Sequence, residues 1–181
     1  MSGFKDIIIG TESINCLNQV GDGMDPEQKR KSLRKITYGV YVLTVKSDDE
    51  YAAATVTWVS QSSLDPPQIM IGLRKGSRTA ALVHKSNQFV LNILGESQKK
   101  IASVFLKHAK VEGNTINGFP FKAGETSAPI LEDAPSFIEC KVDNVIEGTD
   151  HDVVLARVIN AGVQSEEEPL HLRATGWSYG G

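Results

Sequence analysis

The stretch YAAATVTWVSQSSLDPPQIMIGLRKGSRT, residues 51–79, decides the fold. It contains a run of small and hydroxyl residues, a corner at Leu64-Asp65-Pro66-Pro67, an apolar strand, and then Lys75 to Thr79, which opens a predicted helix. The two prolines lack the N–H that a helix or a central strand requires, so the chain must turn sharply there. Hydroxyls, cations and a helix N-terminus are groups that bind a phosphate dianion. The stretch therefore predicts half of a phosphate site.

The residues on both sides predict a chain made mainly of strands. β-Branched and aromatic residues from Val40 to Lys46 stop at Ser47-Asp48-Asp49, as in a hairpin whose second strand is Tyr51 to Val59. Further strands are predicted at Gln68 to Arg74, Gln88 to Leu94, Ser136 to Ile146 and Asp152 to Val163, with a last edge segment at Pro169 to Tyr179. About seven strands without regular helical alternation favour an antiparallel barrel with peripheral helices.

Three short helices are predicted. Asp25 is a suitable N-cap before Pro26, so a helix runs from about Pro26 to Ile36. Ser77 caps a second helix that ends at Lys85, and apolar residues at helical spacing predict a third helix from Glu96 to Lys107. From His108 to Leu131, frequent Gly, Asn and Pro predict a long irregular excursion of the kind that forms lids or binding loops.

The length and composition predict one domain. The chain has 181 residues, 40% of them hydrophobic, and a net charge of -3. We expect an N-terminal arm over residues 1–24, with a short strand at Ile7 to Ile9, followed by one domain over residues 25–181. The acidic balance predicts no nucleic-acid or membrane binding, and the N-terminus lacks a signal-peptide pattern, so a cytoplasmic location is expected. Cys16 and Cys140 are predicted to be reduced thiols, with Cys140 in the core.

The candidate phosphate site draws on two clusters of residues. Hydroxyls of Thr55, Thr57 and Ser60 can line one wall, and small side chains at Ala52 to Ala54 would let a flat group approach the backbone. Lys75, Ser77, Arg78 and Thr79 lie where a strand passes into a helix. The alternative is that the hydroxyls decorate a hairpin and that Ser77 serves as a helix cap.

Several common motifs are missing from the sequence. Gly21-Asp22-Gly23 meets Pro26 where a dinucleotide fingerprint needs its third glycine, and no P-loop pattern is present. The four histidines show no metal-ligand spacing, so no metal is expected. A Gly-x-Ser-x-Gly elbow is also missing, which leaves hydrolase chemistry without support.

Three segments carry a resemblance to a known family. Leu33 to Val42 (LRKITYGVYV), Ala54 to Gln61 (ATVTWVSQ) with Asp65-Pro66-Pro67, and Phe89 to Leu94 (FVLNIL) resemble the flavin reductase family, whose fold is the FMN-binding split β-barrel. The Trp-Val-Ser-Gln run and the closing TGWSYG at Thr175 to Gly180 are most similar to the C-terminal module of diflavin flavodiiron proteins. The resemblance extends from about Arg34 to Gly181.

This resemblance implies FMN as cofactor, NADH or NADPH as hydride donor, and a homodimer. It implies that Thr55, Val56, Thr57 and Trp58 flank the isoalloxazine and ribityl chain, that Ser60 and Gln61 lie toward the phosphate, and that Lys75, Ser77 and Thr79 hold it. His151 follows Gly148-Thr149-Asp150, one residue longer than the family's Gly-Asp-His, and is the candidate catalytic residue. Trp58, Phe105, Trp177 and Tyr179 are candidate stacking surfaces, with Trp58 favoured.

The resulting expectation is an NAD(P)H-dependent flavin reductase. The alternatives are a non-enzymatic FMN protein that relays electrons to a redox partner, a ferric reductase, and a barrel that has lost its cofactor. Free flavin, ferric complexes and a monooxygenase partner all stay open as electron acceptors.

Overall fold

The computed structural model describes residues 23–180. The chain divides into two compact units, Met1–Ile36 with Gly180–Gly181 and Thr37–Tyr179. In the first unit, helix α1 (Pro26–Leu33) begins as predicted, because Asp25 Oδ1 accepts a hydrogen bond from Glu27 N at 3.0 Å. All residues of α1 are exposed.

Most of the predicted arm over residues 1–24, including the strand at Ile7 to Ile9 and Cys16, lies outside the described residues. The predicted domain boundary at residue 25 therefore stays a prediction.

The second unit is built from antiparallel strands. They are β1 (Tyr41–Ser47), β2 (Glu50–Val56), β3 (Val59–Leu64), β4 (Pro67–Arg74), β5 (Gln88–Ile93), β6 (Val111–Glu112), β7 (Thr115–Ile116), β8 (Phe119–Ala123), β9 (Pro129–Leu131), β10 (Ser136–Ile146) and β11 (His151–Val163). The main sheet has seven strands in the order β2-β1-β5-β10-β11-β4-β3. Asp48 adopts the left-handed conformation (φ 53°) in the β1–β2 turn, and the corner between β3 and β4 includes a cis Asp65–Pro66 peptide bond. Both predicted turns are confirmed.

The main sheet curls until its two edge strands meet. β2 and β3 are at opposite edges of the sheet, yet Thr57 and Trp58 are the whole connection between them. Three Cα–Cα steps from Val56 to Val59 reach at most about 11 Å. A flat sheet would place its first and seventh strands about 29 Å apart, at about 4.8 Å per spacing. The sheet is therefore rolled into a barrel, and Thr57 and Trp58 lie at the seam.

Two cores stabilise this barrel on its two faces. The inner core unites side chains from most strands of the main sheet, among them Leu43, Ala52, Ile71, Leu91, Cys140 and Val154. Helix α2 (Arg78–Ser86) adds Leu82 and Val83 to that core, so it closes one end of the barrel. Cys140 is fully buried, as predicted. Its burial, and then the neighbouring Glu139 carboxylate, raises the pKa of the Cys140 thiol to about 12.

Two predictions about segments that contribute to the outer core are wrong. The predicted helix from Glu96 to Lys107 is a 3-10 turn (Glu96–Gln98) followed by the short helix α3 (Lys99–Val104). The segment from His108 to Leu131 is not irregular, because it contains the four-stranded sheet β6-β7-β8-β9. Ile116 and Leu131 of this sheet pack with Phe105 into the outer core.

The end of the second unit follows the barrel surface. It was predicted as an edge strand, but it forms two isolated bridges, Gly95 with Pro169 and Gly39 with His171, and then a 3-10 turn at Leu172–Thr175. Gly176 leaves that turn with a positive φ of 73°, a conformation that favours glycine. Trp177 to Tyr179 then reach the seam. Every helix within residues 23–180 is too short or too polar to cross a membrane.

Candidate functional site

A cleft of about 470 Å³ opens at the seam of the barrel. Its walls come from the end of β2, the two seam residues, the end of β4, the starts of α2 and β11, and the C-terminal segment. Seven of the predicted site residues line it: Thr55, Val56, Thr57, Trp58, Ser77, Thr79 and His151. Of the three alanines predicted to make room for a flat ligand, Ala54 lines the cleft, whereas Ala52 and Ala53 are buried in the inner and outer cores.

Trp58 forms an aromatic wall of the cleft. Its ring centroid is 4.6 Å from that of His151 and 5.2 Å from that of Tyr179. Gly72 on β4 lies against the indole, where an added Cβ would be 3.1 Å from Trp58 Cε3. A glycine inside a strand often marks such a close approach. The indole of Trp58 can occupy this position because glycine at residue 72 has no side chain.

Three polar atoms beside the cleft are buried without a hydrogen-bond partner among residues 23–180: Thr57 Oγ1, Trp58 Nε1 and His151 Nδ1. The hydroxyl of Thr55, by contrast, donates to the carbonyl oxygen of Ala102 at 2.7 Å. An unsatisfied buried donor costs about 1–3 kcal/mol, so such groups need an explanation. A ligand with hydrogen-bonding atoms around its rim would supply the missing partners.

His151 connects the aromatic wall to two polar groups. Its Nε2 lies 2.8 Å from the Tyr179 hydroxyl oxygen, and its Nδ1 lies 3.1 Å from Oδ1 of Asp150. The Nε2 contact is a hydrogen bond, whereas the Nδ1 contact with Asp150 lacks hydrogen-bond geometry, and Nδ1 has no other hydrogen-bond partner among residues 23–180. The interaction with His151 holds the pKa of Asp150 below its usual range.

A second part of the cleft is suited to an anion. Arg74, Ser77 and Thr79 line it where β4 passes into α2. Ser77 Oγ accepts a hydrogen bond from Ala80 N at 3.1 Å, so the predicted capping role is confirmed. The N-terminus of a helix and a nearby guanidinium both favour negative charge. This arrangement can hold a phosphate beside the aromatic wall.

Lys75 and Arg78 lie outside this cleft. They line a neighbouring cavity of about 510 Å³ that shares Ser77 with it. Lys75 Nζ is 3.4 Å from Asp152 Oδ1, and Arg78 Nη2 is 3.4 Å from a carboxylate oxygen of Glu50. Both cations already have acidic partners, and their contact with a phosphate stays a prediction.

Ser60 and Gln61 also lie outside the cleft, because they follow the seam on β3 and line a separate cavity of about 280 Å³. Their approach to a flavin phosphate stays a prediction. Phe105, a predicted stacking surface, is 1% exposed and packs 5.9 Å from the ring of Phe119. It is a core residue, so that prediction is wrong. Trp177 and Tyr179 do line the cleft.

Sequence reasoning missed several lining residues. Gly72 carried a signal, since a glycine interrupts an otherwise apolar strand pattern. Arg74 carried a weaker one as the last residue of a strand that leads into a capped helix. Leu106, which is 65% exposed, and Ser178 have no sequence signal that marks them as lining residues.

Together, the rolled antiparallel sheet and the aromatic, anion-suited cleft define a small β-barrel protein with a cleft suited to a planar, negatively charged ligand. The family described as flavin reductase like domain matches residues 33–177. This chain belongs to that family.

Relatives of the chain include both free-standing and multidomain proteins. The NADH-dependent flavin reductase StyB of Pseudomonas fluorescens is 31% identical over 144 residues, 79% of this chain and 82% of the relative. Diflavin flavoprotein A 1 of Synechocystis sp. is 31% identical over 152 residues, 82% of this chain and 26% of the relative. The chain therefore spans about a quarter of the length of the diflavin relatives.

Solved structures show the same fold. The flavin reductase of styrene monooxygenase from Pseudomonas putida S12 has a TM-score of 0.69 at 28% identity, covering 83% of this chain and 94% of the other. The NADH:FAD oxidoreductase SgcE6 of Streptomyces globisporus has a TM-score of 0.70 at 25% identity, covering 82% and 90%.

Proposed function

We propose that this chain is an NAD(P)H-dependent flavin oxidoreductase that binds FMN in the seam cleft. The observation that carries the proposal is the pair of buried, unpartnered polar atoms, Thr57 Oγ1 and Trp58 Nε1, beside an aromatic cleft. Membership in the flavin reductase like family and the similarity to NADH-dependent StyB support it.

The cleft fits a flavin in size and chemistry. Its volume of about 470 Å³ is in the usual range for ligand sites, about 300–1,000 Å³. An isoalloxazine ring is flat and carries oxygen and nitrogen atoms at its rim. Trp58 and Tyr179 offer apolar ring surface for its faces, and the Thr57 hydroxyl can bond to its rim.

The phosphate of FMN is assigned to the start of α2. Ser77 and Thr79 would supply hydroxyl and backbone donors there, and Arg74 would supply a guanidinium. Lys75 and Arg78, which the sequence also suggests, would add positive potential from the adjoining cavity. The N-terminus of α2 adds its partial positive charge.

The flavin, when bound, supplies the hydride-accepting chemistry, and the residues of the chain position it and exclude water. Trp58, Tyr179 and Leu172 cover the cleft with apolar surface. His151 is the proposed catalytic residue: its ring lies beside Trp58, and its Nε2 contacts the Tyr179 hydroxyl.

The same proposal includes the hydride donor, the electron acceptor and the oligomeric state. NADH or NADPH supplies the hydride, and a homodimer is proposed as the working form. One relative, HsaB of Mycobacterium tuberculosis, is named as the reductase subunit of a flavin-dependent monooxygenase and is 30% identical over 135 residues. A monooxygenase that takes up reduced flavin is accordingly one proposed redox partner.

The test is anaerobic reduction of the FMN-loaded protein. We expect FMN to bind to the purified chain, and addition of NADH or NADPH to bleach the visible flavin band within seconds. Bound flavin that neither nucleotide bleaches would contradict the enzymatic proposal. A protein that binds no FMN and no FAD would contradict the site itself.

A second candidate is an electron-relay module, which the similarity to diflavin flavoproteins favours. It predicts tight FMN binding, slow reduction by either nucleotide, and fast reduction through a partner protein. The rate of anaerobic bleaching therefore separates the two candidates.

A further inference from the structure

The C-terminal segment Trp177 to Tyr179 forms one side of the cleft, and all three of its residues line it. The last backbone anchor in this segment is the hydrogen bond from Trp177 N to Thr175 Oγ1 at 3.0 Å. Within residues 23–180, the backbones of Ser178 and Tyr179 make no further hydrogen bond. The position of this segment therefore depends on its side chains.

Trp177 packs against the outer core, with Lys99 Nζ 5.7 Å from its ring centroid, and Tyr179 makes the contacts that hold the end of the segment against the cleft. Its hydroxyl is 2.8 Å from His151 Nε2, and its ring centroid is 5.2 Å from that of Trp58. The side of the cleft that Tyr179 forms is thus attached by one hydrogen bond to His151 and by two ring contacts, with Trp58 and, at 6.2 Å between centroids, with His151. Contacts this few can break and re-form thermally.

The hydrogen bond is compatible with both states of the imidazole. A tyrosine hydroxyl donates to a neutral Nε2 and accepts from a protonated one. The attachment of Tyr179 therefore does not require one particular charge on His151.

We propose that Tyr179 is a positioning residue: its hydrogen bond to His151 closes Ser178 and Tyr179 over the cleft and thereby sets the rate at which flavin leaves. This inference rests on the proposed function, since it presupposes flavin in the cleft. It goes further by assigning flavin retention to one side-chain contact. Loss of the contact is expected to speed flavin exchange.

The first test needs no flavin. The chain contains two tryptophans, Trp58 and Trp177, so Trp177→Phe leaves Trp58 as the sole tryptophan probe. In that background, Tyr179→Phe should increase acrylamide quenching of Trp58 about twofold or more, as expected when one hydrogen bond is lost. Tyr51→Phe, which removes a hydroxyl from a tyrosine outside the cleft, should leave quenching unchanged.

A double-mutant cycle then identifies the partner. His151→Ala should raise Trp58 quenching, and adding Tyr179→Phe to it should cause no further increase, because both changes remove the same contact. Independent, additive effects of the two changes would overturn the assignment of His151 as partner.

The second test follows FMN itself. Tyr179→Phe should raise the FMN dissociation rate about two- to tenfold, the range expected for one hydrogen bond. Unchanged quenching, or increased quenching with an unchanged dissociation rate, would overturn the inference. If the unmodified chain bound no flavin, the proposed function would fail, while the quenching comparison would still support or overturn the closure by Tyr179.

Discussion

Gly72 and Trp58 are held together by both backbone and side chain. Gly72 N donates to the carbonyl oxygen of Trp58 at 2.9 Å, and a Cβ at Gly72 would lie 3.1 Å from Cε3 of the indole. The chain that enters β3 is thus hydrogen-bonded to β4 at Gly72. The indole ring of Trp58 packs over that same residue of β4. Seam closure and the aromatic wall depend on one glycine.

Gly72→Ala should weaken FMN binding about tenfold, because an overpacked contact costs about 1–3 kcal/mol and displaces the Trp58 ring. The melting temperature should fall only slightly, since the preference of a strand for Ala over Gly, about 0.5–1 kcal/mol, offsets part of that cost. Flavin titration by fluorescence and a thermal melt measure the two effects. Ser62→Ala, at an exposed position on β3, is the control. Unchanged FMN affinity in Gly72→Ala would show that Trp58 does not position the flavin.

The parts of the fold that the sequence predicted correctly are marked by local chemistry. The Asp48-Asp49 turn, the Pro66-Pro67 corner and the Ser77 cap each depend on properties of adjacent residues. The β6-β7-β8-β9 sheet was missed because two of its strands have two residues each, too short to display an alternating pattern. The antiparallel barrel was predicted from the number of strands and the lack of regular helical alternation. The order of the strands, which closes the barrel, has no such local signal.

The residues of the candidate site divide in the same way, into those marked by the local sequence and those brought together only by the fold. Thr57 and Trp58 line the cleft as the family resemblance suggested, but the sequence predicted one strand from Tyr51 to Val59 through them, whereas β2 ends at Val56. Sequence reasoning assigned Lys75 to the anion and did not consider Arg74, yet Arg74 lines the cleft and Lys75 lines the neighbouring cavity. The contact of His151 with Tyr179 joins residues 28 positions apart and has no periodic signature.

Thr57→Val should stabilise the flavin-free protein and weaken flavin binding. The buried hydroxyl has no partner among residues 23–180, so an apolar group of the same shape removes a desolvation cost of about 1–3 kcal/mol. In the loaded protein, the same change deletes a bond to the ligand. We expect a higher melting temperature without FMN and an FMN affinity about tenfold lower, for a loss of about 1.4 kcal/mol.

Thr55→Val is the matched comparison for the stability effect. Its hydroxyl donates to the Ala102 carbonyl at 2.7 Å, so its removal should lower the free energy of unfolding by about 1 kcal/mol. The two threonines should therefore shift the melting temperature of the flavin-free protein in opposite directions. A decrease for both would mean that Thr57 already has a partner, such as a bound water.

Arg74→Gln should weaken FMN about tenfold without affecting riboflavin. A charge-assisted hydrogen bond contributes about 1.5–3 kcal/mol, and riboflavin lacks the phosphate that would accept it. Isothermal titration with both flavins separates phosphate contact from ring contact. Lys141→Gln removes a positive charge from an exposed position on β10 and controls for long-range potential. Equal weakening of FMN and riboflavin would place Arg74 against the ring system.

Lys75→Gln in the same assay compares the two candidate cations. Lys75 lies 3.4 Å from Asp152 and outside the cleft, so we expect its loss to weaken FMN less than that of Arg74. A larger loss for Lys75→Gln would mean that Lys75 exchanges Asp152 for the phosphate when FMN binds, as the sequence suggested.

Protonation of Glu139 should account for part of the loss of folding stability at acidic pH. Its buried carboxylate accepts hydrogen bonds from Thr126 N and Oγ1 at 2.8 Å and from Asn160 Nδ2 at 2.7 Å. Burial alone would raise its pKa, but these bonds outweigh that effect and hold the pKa of Glu139 below its usual value. A depressed folded-state pKa contributes stability above the unfolded-state value of about 4.3. That contribution is lost as pH falls through the folded-state pKa.

Glu139→Gln should therefore lower the free energy of unfolding by about 2 kcal/mol at neutral pH, because charged acceptors give stronger bonds than neutral ones. Below about pH 4.3, its stability should fall less steeply than that of the unmodified protein, since one linked proton has been removed. Urea unfolding across the acid range measures both effects. Glu132→Gln, at an exposed position, should leave the steepness unchanged. Parallel pH profiles for the unmodified protein and Glu139→Gln would mean that Glu139 is already protonated in the fold.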